Sequence, residues 1–144
     1  MKEKALNLLG LMRRANAISV GELNTGAVVK AGKAKLLLLA LDASDNAAKR
    51  AEGFKEGRRV LELRLPFTKA ELSAALGLNG CSMAAVTDMG FSQALLKILA
   101  EIDSEQYAPF LEEIKARSEK AERRKKGADA LKRKKQIGKR RTKA

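Results

Sequence analysis

The longest apolar run in the sequence is LLLLAL at positions 36–41, within the segment AKLLLLAL, and polar residues flank it on both sides. At this length it is too short to cross a bilayer, which takes about 20 apolar residues. A short continuous apolar run is typical of a strand buried on both faces. SMAAV at 82–86 is a second run of this type. The chain is therefore expected to build a sheet that is covered on both of its faces.

Helical periods separate these runs. Residues 3–15 and the segment from Asp88 to residue 102 each place apolar side chains on one helix face. Further helices are expected from 22 to 31, ending near Gly32, and after the capping residues 42–45 and the S/T-x-x-E sequence at 68–71. Short strands are expected at 18–20 and, with a half-buried alternation, at 59–65. This order predicts an α/β fold, a three-layer α/β/α sandwich with a small mixed sheet of about four strands.

The charge of the chain is unbalanced and unevenly placed. Lys and Arg number 30 against 17 Asp and Glu, a net charge of +13, and the excess is concentrated after residue 111. Such an excess favours a polyanionic partner such as nucleic acid. We expect a folded domain over 1–103, a connecting amphipathic helix over 104–122, and a disordered or loosely helical basic tail over 123–144.

The sequence lacks the residues that several classes of function require. There is no His, and the one Cys, Cys81, has no imidazole partner and is interpreted as a small buried thiol, so neither a zinc site nor a cysteine nucleophile is expected. The Gly21–Gly26 spacing lacks the Lys and Ser/Thr of a phosphate-loop NTPase. Asp42, Asp45 and Asp88 precede helices, where capping explains them. We expect no enzyme, no cofactor and no metal.

Three segments carry a resemblance to a known family: ISVGELNTGAVVKAGKAKLLLLALDAS at 18–44, KAELSAALG at 69–77 and AAVTDMGFSQALLKIL at 84–99. Together they resemble the kink-turn RNA-binding ribosomal proteins of archaea and eukaryotes, and most of all the small bacterial relatives of that family. The resemblance covers residues 3–102. It implies an α/β/α sandwich that contacts RNA at the start of its second helix and in the loop before its last strand.

Carried over to this chain, these contacts fall on two short segments. They are the helix start with Gly21, Glu22, Asn24, Thr25 and Gly26, and the loop with Leu78, Asn79, Gly80 and Cys81. The family's motif at the helix start is G-x-N-E-x-x-K. Gly21 matches its first position, whereas Leu23, Asn24 and Ala27 stand at the Asn, Glu and Lys positions. A capped turn without a ligand is the alternative interpretation of the helix start.

Basic residues outside these segments are further candidates for RNA contact. Lys30, Lys33 and Lys35 follow the second helix, and Arg13 and Arg14 end the first, so that all five could border one face. The tail adds cations for phosphate contacts that do not depend on base sequence: Arg123, Arg124, Lys125, Lys126, Lys132, Arg133, Lys134, Lys135, Lys139, Arg140 and Arg141. The alternative for the tail is a solubilising segment.

Between domain and tail, an apolar stripe recurs at helical spacing. It consists of Tyr107, Phe110, Leu111 and Ile114, and it either packs back on the domain or offers a groove to a protein partner.

The leading hypothesis is a cytoplasmic RNA-binding protein that acts on ribosomal or other structured RNA, with the ribosome as a candidate partner. It would recognise a kinked or bulged RNA through residues 21–26 and 78–81. A protein that binds nucleic acid non-specifically through its tail, and a protein-interaction module, are the alternatives. The N-terminus is expected to be an amphipathic helix and not a signal peptide, and no membrane role is expected.

Overall fold

The computed structural model of the chain describes the backbone of residues 2–142 and the side chains of residues 2–127. Six helices and four strands alternate along this part of the chain: α1 Lys2–Arg14, β1 Ile18–Val20, α2 Glu22–Lys30, β2 Leu36–Leu39, α3 Asp45–Lys55, β3 Leu61–Arg64, α4 Lys69–Leu76, β4 Met83–Val86, α5 Met89–Ile102 and α6 Ser104–Thr142. None of these helices combines the length and the apolar character that crossing a membrane requires.

The four strands form one mixed sheet in the order β1-β4-β2-β3. β4 runs antiparallel to β1 and β2, and β2 runs parallel to β3. We name the two ends of the sheet, as met along the strand direction, the carboxyl edge and the amino edge. At the carboxyl edge β1, β2 and β3 end and β4 begins; at the amino edge β1, β2 and β3 begin and β4 ends.

Helices cover both faces of this sheet, which confirms the three-layer α/β/α sandwich. Leu36 and Leu38 of β2 face a core shared with α1, α4, α5 and α6. Leu37 and Leu39 face a smaller core shared with α2 and α3. All four leucines are buried, as the apolar run predicts.

Three helix starts have the caps that the sequence indicates. The Ser44 hydroxyl accepts a hydrogen bond from the N–H of Ala47, and the Asp88 carboxylate accepts one from Phe91 at 2.8 Å. Thr68 and Glu71 form the complete capping box of α4. Asp42, in contrast, accepts a hydrogen bond from the backbone N–H of Lys69, at the start of α4, at 2.7 Å.

α6 closes the core beside α5. Tyr107 and Ile114 are buried, and Phe110 and Leu111 are half-buried against the same core. The stripe therefore packs back on the domain, which corrects the alternative of a protein partner at these four residues. α6 continues without interruption through the segments expected as a connecting helix and a tail.

Gly26 is needed for the contact between α2 and α3. A Cβ atom at this position would lie 2.8 Å from the Phe54 ring. Gly53 offers a matched control, because it also lies within a helix but has open space where a Cβ would be. Overpacking costs about 1–3 kcal/mol and the gain in helix propensity offsets about 1 kcal/mol of it, so we expect Gly26→Ala to lower the free energy of unfolding by up to about 2 kcal/mol. Gly53→Ala should raise it by about 0.5–1 kcal/mol. Urea denaturation measures both, and a stabilised Gly26→Ala variant would contradict the contact.

Tyr107, the only tyrosine, donates a hydrogen bond to the carbonyl of Arg64 at 2.6 Å. Burial, with a smaller effect of the Asp103 charge, raises the pKa of its hydroxyl to about 12. Since the unfolded pKa is about 10, the neutral form stabilises the fold fully below pH 10, and this contribution is lost as the pH rises towards 12.

We therefore expect the absorbance of the single phenol to titrate near pH 12 in the folded protein. Tyr107→Phe should lower the free energy of unfolding by about 1 kcal/mol at neutral pH. This difference between wild type and variant should shrink above pH 10. A phenol that titrates near 10 in the folded protein would show that Tyr107 is not buried as described.

Candidate nucleic-acid interface

The carboxyl edge of the sheet brings together the two segments that the sequence singles out. The N–H of Gly21, which follows β1, donates to the carbonyl of Met83 in β4 at 3.1 Å. The N–H of Ala40, which follows β2, donates to the carbonyl of Ser82 at 2.9 Å. The start of α2 and the loop before β4 therefore lie side by side at one edge, although they are about 60 residues apart in the chain.

The start of α2 presents open backbone donors. Gly21, the N-cap residue, has φ 84° and ψ 157°, a conformation that is essentially restricted to glycine, and it has no side chain to cap the helix. The first hydrogen bond of the helix runs from Thr25 N–H to the Gly21 carbonyl. Within the described part of the chain, the N–H groups of Glu22, Leu23 and Asn24 have no acceptor. Such a helix start attracts anions, because its free N–H groups carry partial positive charge.

The side chains at this helix start differ in what they offer. Leu23 is 87% exposed, a position that packing does not explain. Asn24 is exposed, and its amide donates to the Val20 carbonyl at 3.1 Å. Glu22 accepts two hydrogen bonds from Nη1 of Arg50, at 2.7 and 2.8 Å. The cation of α3 therefore compensates the one negative charge in the first turn of α2.

The Thr25 side chain does not face a ligand, which corrects its placement among the RNA-contacting side chains, whereas Gly26 lies against Phe54 at the side of a shallow cavity. Thr25 is fully buried, and its hydroxyl has no hydrogen-bond partner among the described residues. Gly26 is buried against Phe54. The reason is helical geometry: the side chain of Thr25 and the surface of Gly26 lie on the faces of α2 that pack on the sheet and on α3.

The residues of the loop before β4 also differ in their exposure. Asn79 and Gly80 are exposed, and Gly80 has φ 71°, the left-handed conformation of a tight turn. Leu78 is half-buried against the core. Cys81 is buried: its N–H donates to the Ser73 hydroxyl at 2.8 Å, and its thiol donates to the Met83 carbonyl at 3.3 Å. The interpretation of Cys81 as a small buried thiol is confirmed. Because its side chain does not reach the surface of the loop, it is not placed to contact RNA.

Two of the three candidate lysines lie away from these two segments. Lys33 and Lys35 follow α2, at the amino edge of the sheet, whereas Lys30 is the last residue of α2 and its side chain lies over the Phe54 ring. The nine residues of α2 rise about 13 Å from one edge to the other. Arg13 and Arg14 precede β1 and so border the same amino edge. That these five cations form one basic face stays a prediction.

Three further residues lie at the carboxyl edge that local sequence patterns do not indicate: Leu41, Arg64 and Arg50. Leu41 is 52% exposed directly after β2, and Arg64 at the end of β3 donates to its carbonyl at 3.2 Å. Leu41 is the last residue of the apolar run, so its pattern predicts burial. Arg64 and Arg50 come to this edge only through the sheet order and the α2–α3 packing, for which no local signal exists.

Beside the start of α2 lies a shallow cavity of about 540 Å³. It is lined by Glu22, Leu23, Gly26, Ala27, Lys30 and Phe54. The Nζ atom of Lys30 lies 5.5 Å from the centre of the Phe54 ring, within the range of a cation–π contact. In the part of the chain with described side chains, no three Cys, Asp or Glu residues group closely enough to hold a metal ion.

The chain was compared with family models, solved structures and curated proteins. No family model matches it, but similar structures and related sequences exist. The Bacillus halodurans protein described as one of unknown function has a similar structure, with a TM-score of 0.58 and 28% identity over 64% of this chain and 92% of that protein. The Giardia lamblia 15.5kD RNA binding protein shares the fold, with a TM-score of 0.53 and 20% identity over 69% of this chain and 84% of its own.

Two curated relatives are similar in sequence. "RNA-binding protein YlxQ" of Bacillus subtilis (strain 168) is 34% identical over 96 residues, which are 64% of this chain and 91% of the relative. The Enterococcus faecium protein of the same name is 31% identical over 98 residues, 68% of this chain and 93% of the relative. Identity at this level over nearly the whole length of both relatives shows common descent, and the chain therefore belongs to the YlxQ family.

Proposed function

We propose that this protein binds structured RNA and that the carboxyl edge of its sheet recognises a kinked or bulged segment. The observation that carries this proposal is that the open N–H groups of α2 lie at the same edge of the sheet as the loop before β4, in which Asn79 and Gly80 are exposed. The names of the two YlxQ relatives support RNA as the class of ligand.

The groups at this edge suit an irregular RNA better than a regular duplex. The N–H groups of residues 22–24 can hold a backbone phosphate. Leu23 gives an apolar surface for an unstacked base, and the amides of Asn24 and Asn79 can bond to base edges or riboses. Bases are accessible to such contacts in bulges, loops and kinks, because the deep, narrow major groove of an RNA duplex hides them. The edge would therefore select RNA whose bases are already splayed out.

The pair between Glu22 and Arg50 removes an electrostatic obstacle to this binding. A lone carboxylate in the first turn of α2 would repel a phosphate at the open N–H groups. With the guanidinium 2.7 Å away, the local charge is balanced. Arg50 also adds a guanidinium close to the open N–H groups, on a chain where Ala27 stands at the Lys position of the kink-turn motif.

The basic tail would add affinity without specificity. Arg123, Arg124, Lys125 and Lys126 are exposed on α6. The remaining tail cations, from Lys132 onward, have side chains outside the described residues. Each phosphate contact contributes about 0.7–0.9 to the slope of log K against log salt concentration.

The exposed Ala27 favours a second candidate function. Without the motif Lys, the domain could serve as a scaffold while the tail alone binds nucleic acid of any sequence. In either case we propose a non-enzymatic role in the cytoplasm, on ribosomal or other structured RNA, with the ribosome as a candidate partner.

Leu23→Asp tests the carboxyl edge, and Leu11→Asp on α1 is its control, because both leucines are exposed and neither contributes to the core. In the full-length protein we expect Leu23→Asp to weaken binding to a kink-turn RNA at least tenfold, about 1.4 kcal/mol, through a lost base contact and a new negative charge. Leu11→Asp should have a much smaller effect. Titration of a labelled kink-turn RNA and a matched plain duplex measures both.

A third variant separates the two candidate functions. Replacing Lys132, Arg133, Lys134 and Lys135 with Gln should weaken binding to both RNAs similarly and leave the preference for the kinked RNA. If this variant loses the preference while Leu23→Asp keeps it, the tail is the binding element and the edge is not.

A further inference from the structure

The amino edge of the sheet carries a basic groove that the proposed recognition site does not use. Its volume is about 370 Å³. Its floor is apolar, with Val29, Val60, Met89 and Ile114, and its walls carry five cations and no acid: Lys35, Arg58, Arg59, Arg117 and Arg124. We call this feature the amino-edge groove.

Three separate parts of the fold bring these cations together. Lys35 precedes β2, and its N–H is fixed to the Val86 carbonyl at 2.7 Å. Arg58 and Arg59 follow the turn at Gly57, which has φ 74°. Arg117 and Arg124 lie two turns apart on one face of α6. The groove therefore exists only because α6 passes beside the starts of β2 and β3.

One hydrogen bond joins α6 to the segment before β3 at this edge: Nη1 of Arg117 donates to the Arg59 carbonyl. Within α6, Nε of Arg117 donates to the Glu113 carboxylate at 2.8 Å, which orients the guanidinium. Arg117 thus holds one wall of the groove in place. Arg58 and Arg59 are exposed, and among the described residues the ion pairs include neither of them.

Glu113 balances the charge of Arg117, but the other four cations that line the groove repel one another, and an anion in the groove relieves that repulsion. Guanidinium groups match the geometry of phosphate oxygens, with which they form paired hydrogen bonds. The carboxyl end of α2, by contrast, contributes only a weak partial negative charge. The electrostatics of the amino-edge groove therefore fit a chain of phosphates better than a single carboxylate.

We propose that the amino-edge groove binds the sugar–phosphate backbone of a second stretch of the same RNA, about the length of α2 away from the segment at the carboxyl edge. This inference rests on the proposed function, which supplies RNA as the ligand. The groove contacts phosphates only, so it adds affinity and fixes the direction in which the RNA leaves the recognition site.

The test is the salt dependence of RNA binding by the full-length Arg58→Gln/Arg59→Gln variant. Its control is Lys97→Gln/Lys115→Gln, which removes two exposed cations outside the groove. The RNA is a kink-turn RNA with an extended helical stem. We expect the slope of log K against log salt concentration to become less negative by about 1.5–2 units in the arginine variant, because two phosphate contacts are lost. The lysine control should change the slope by less than about half a unit, and the preference for kinked RNA should stay at the wild-type value in both.

Each outcome decides one of the two proposals. If the arginine variant changes the slope no more than the control does, the amino-edge groove does not contact RNA and the inference is overturned. If wild type shows no preference for the kinked RNA, the proposed recognition fails, while the slopes still decide the groove. If wild type binds neither RNA, both proposals fail.

Discussion

The burial of β2 between two helical layers keeps ligands away from both faces of the sheet. Its four leucines alternate between two cores, so that neither face of the sheet is open. At the strand ends, loops and helix termini from several elements meet and offer backbone groups and side chains to a ligand. The proposed contacts therefore lie at the carboxyl edge, at the amino edge and on α6.

α2 links the two edges and gives them opposite character. Its first turn, at the carboxyl edge, presents N–H groups and a charge-balanced Glu22 beside the exposed Leu23. Its last turn, at the amino edge, leads to Lys33 and to Lys35, which lines the basic groove. The proposed division of labour follows from this polarity: base and phosphate contacts at one end, and phosphate contacts alone at the other. α6 supports both, because Tyr107 bonds to the end of β3 and Arg117 to the turn before it.

Local patterns predicted the fold well, because strands buried on both faces, helix caps and the stripe of α6 are properties of neighbouring residues. The start of α2 was predicted less well. Whether Thr25 and Gly26 face a ligand or the core depends on which side of α2 meets Phe54, and Phe54 is 28 residues further along the chain. The same holds for the Glu22–Arg50 pair and for the separation of the lysines from Gly21. These are consequences of packing between distant segments, which periodicity in one sequence does not encode.

The most direct measurement is an NMR titration of the full-length protein with a kink-turn RNA, in which the backbone amide signals report the contact surface. We expect the largest shifts at residues 21–24 and 79–80, since the open N–H groups of α2 would gain a phosphate acceptor. Smaller shifts are expected at residues 58–59 of the amino-edge groove. If residues 21–24 and 79–80 stay unshifted while the basic tail responds, the carboxyl edge does not recognise RNA and the central claim is wrong.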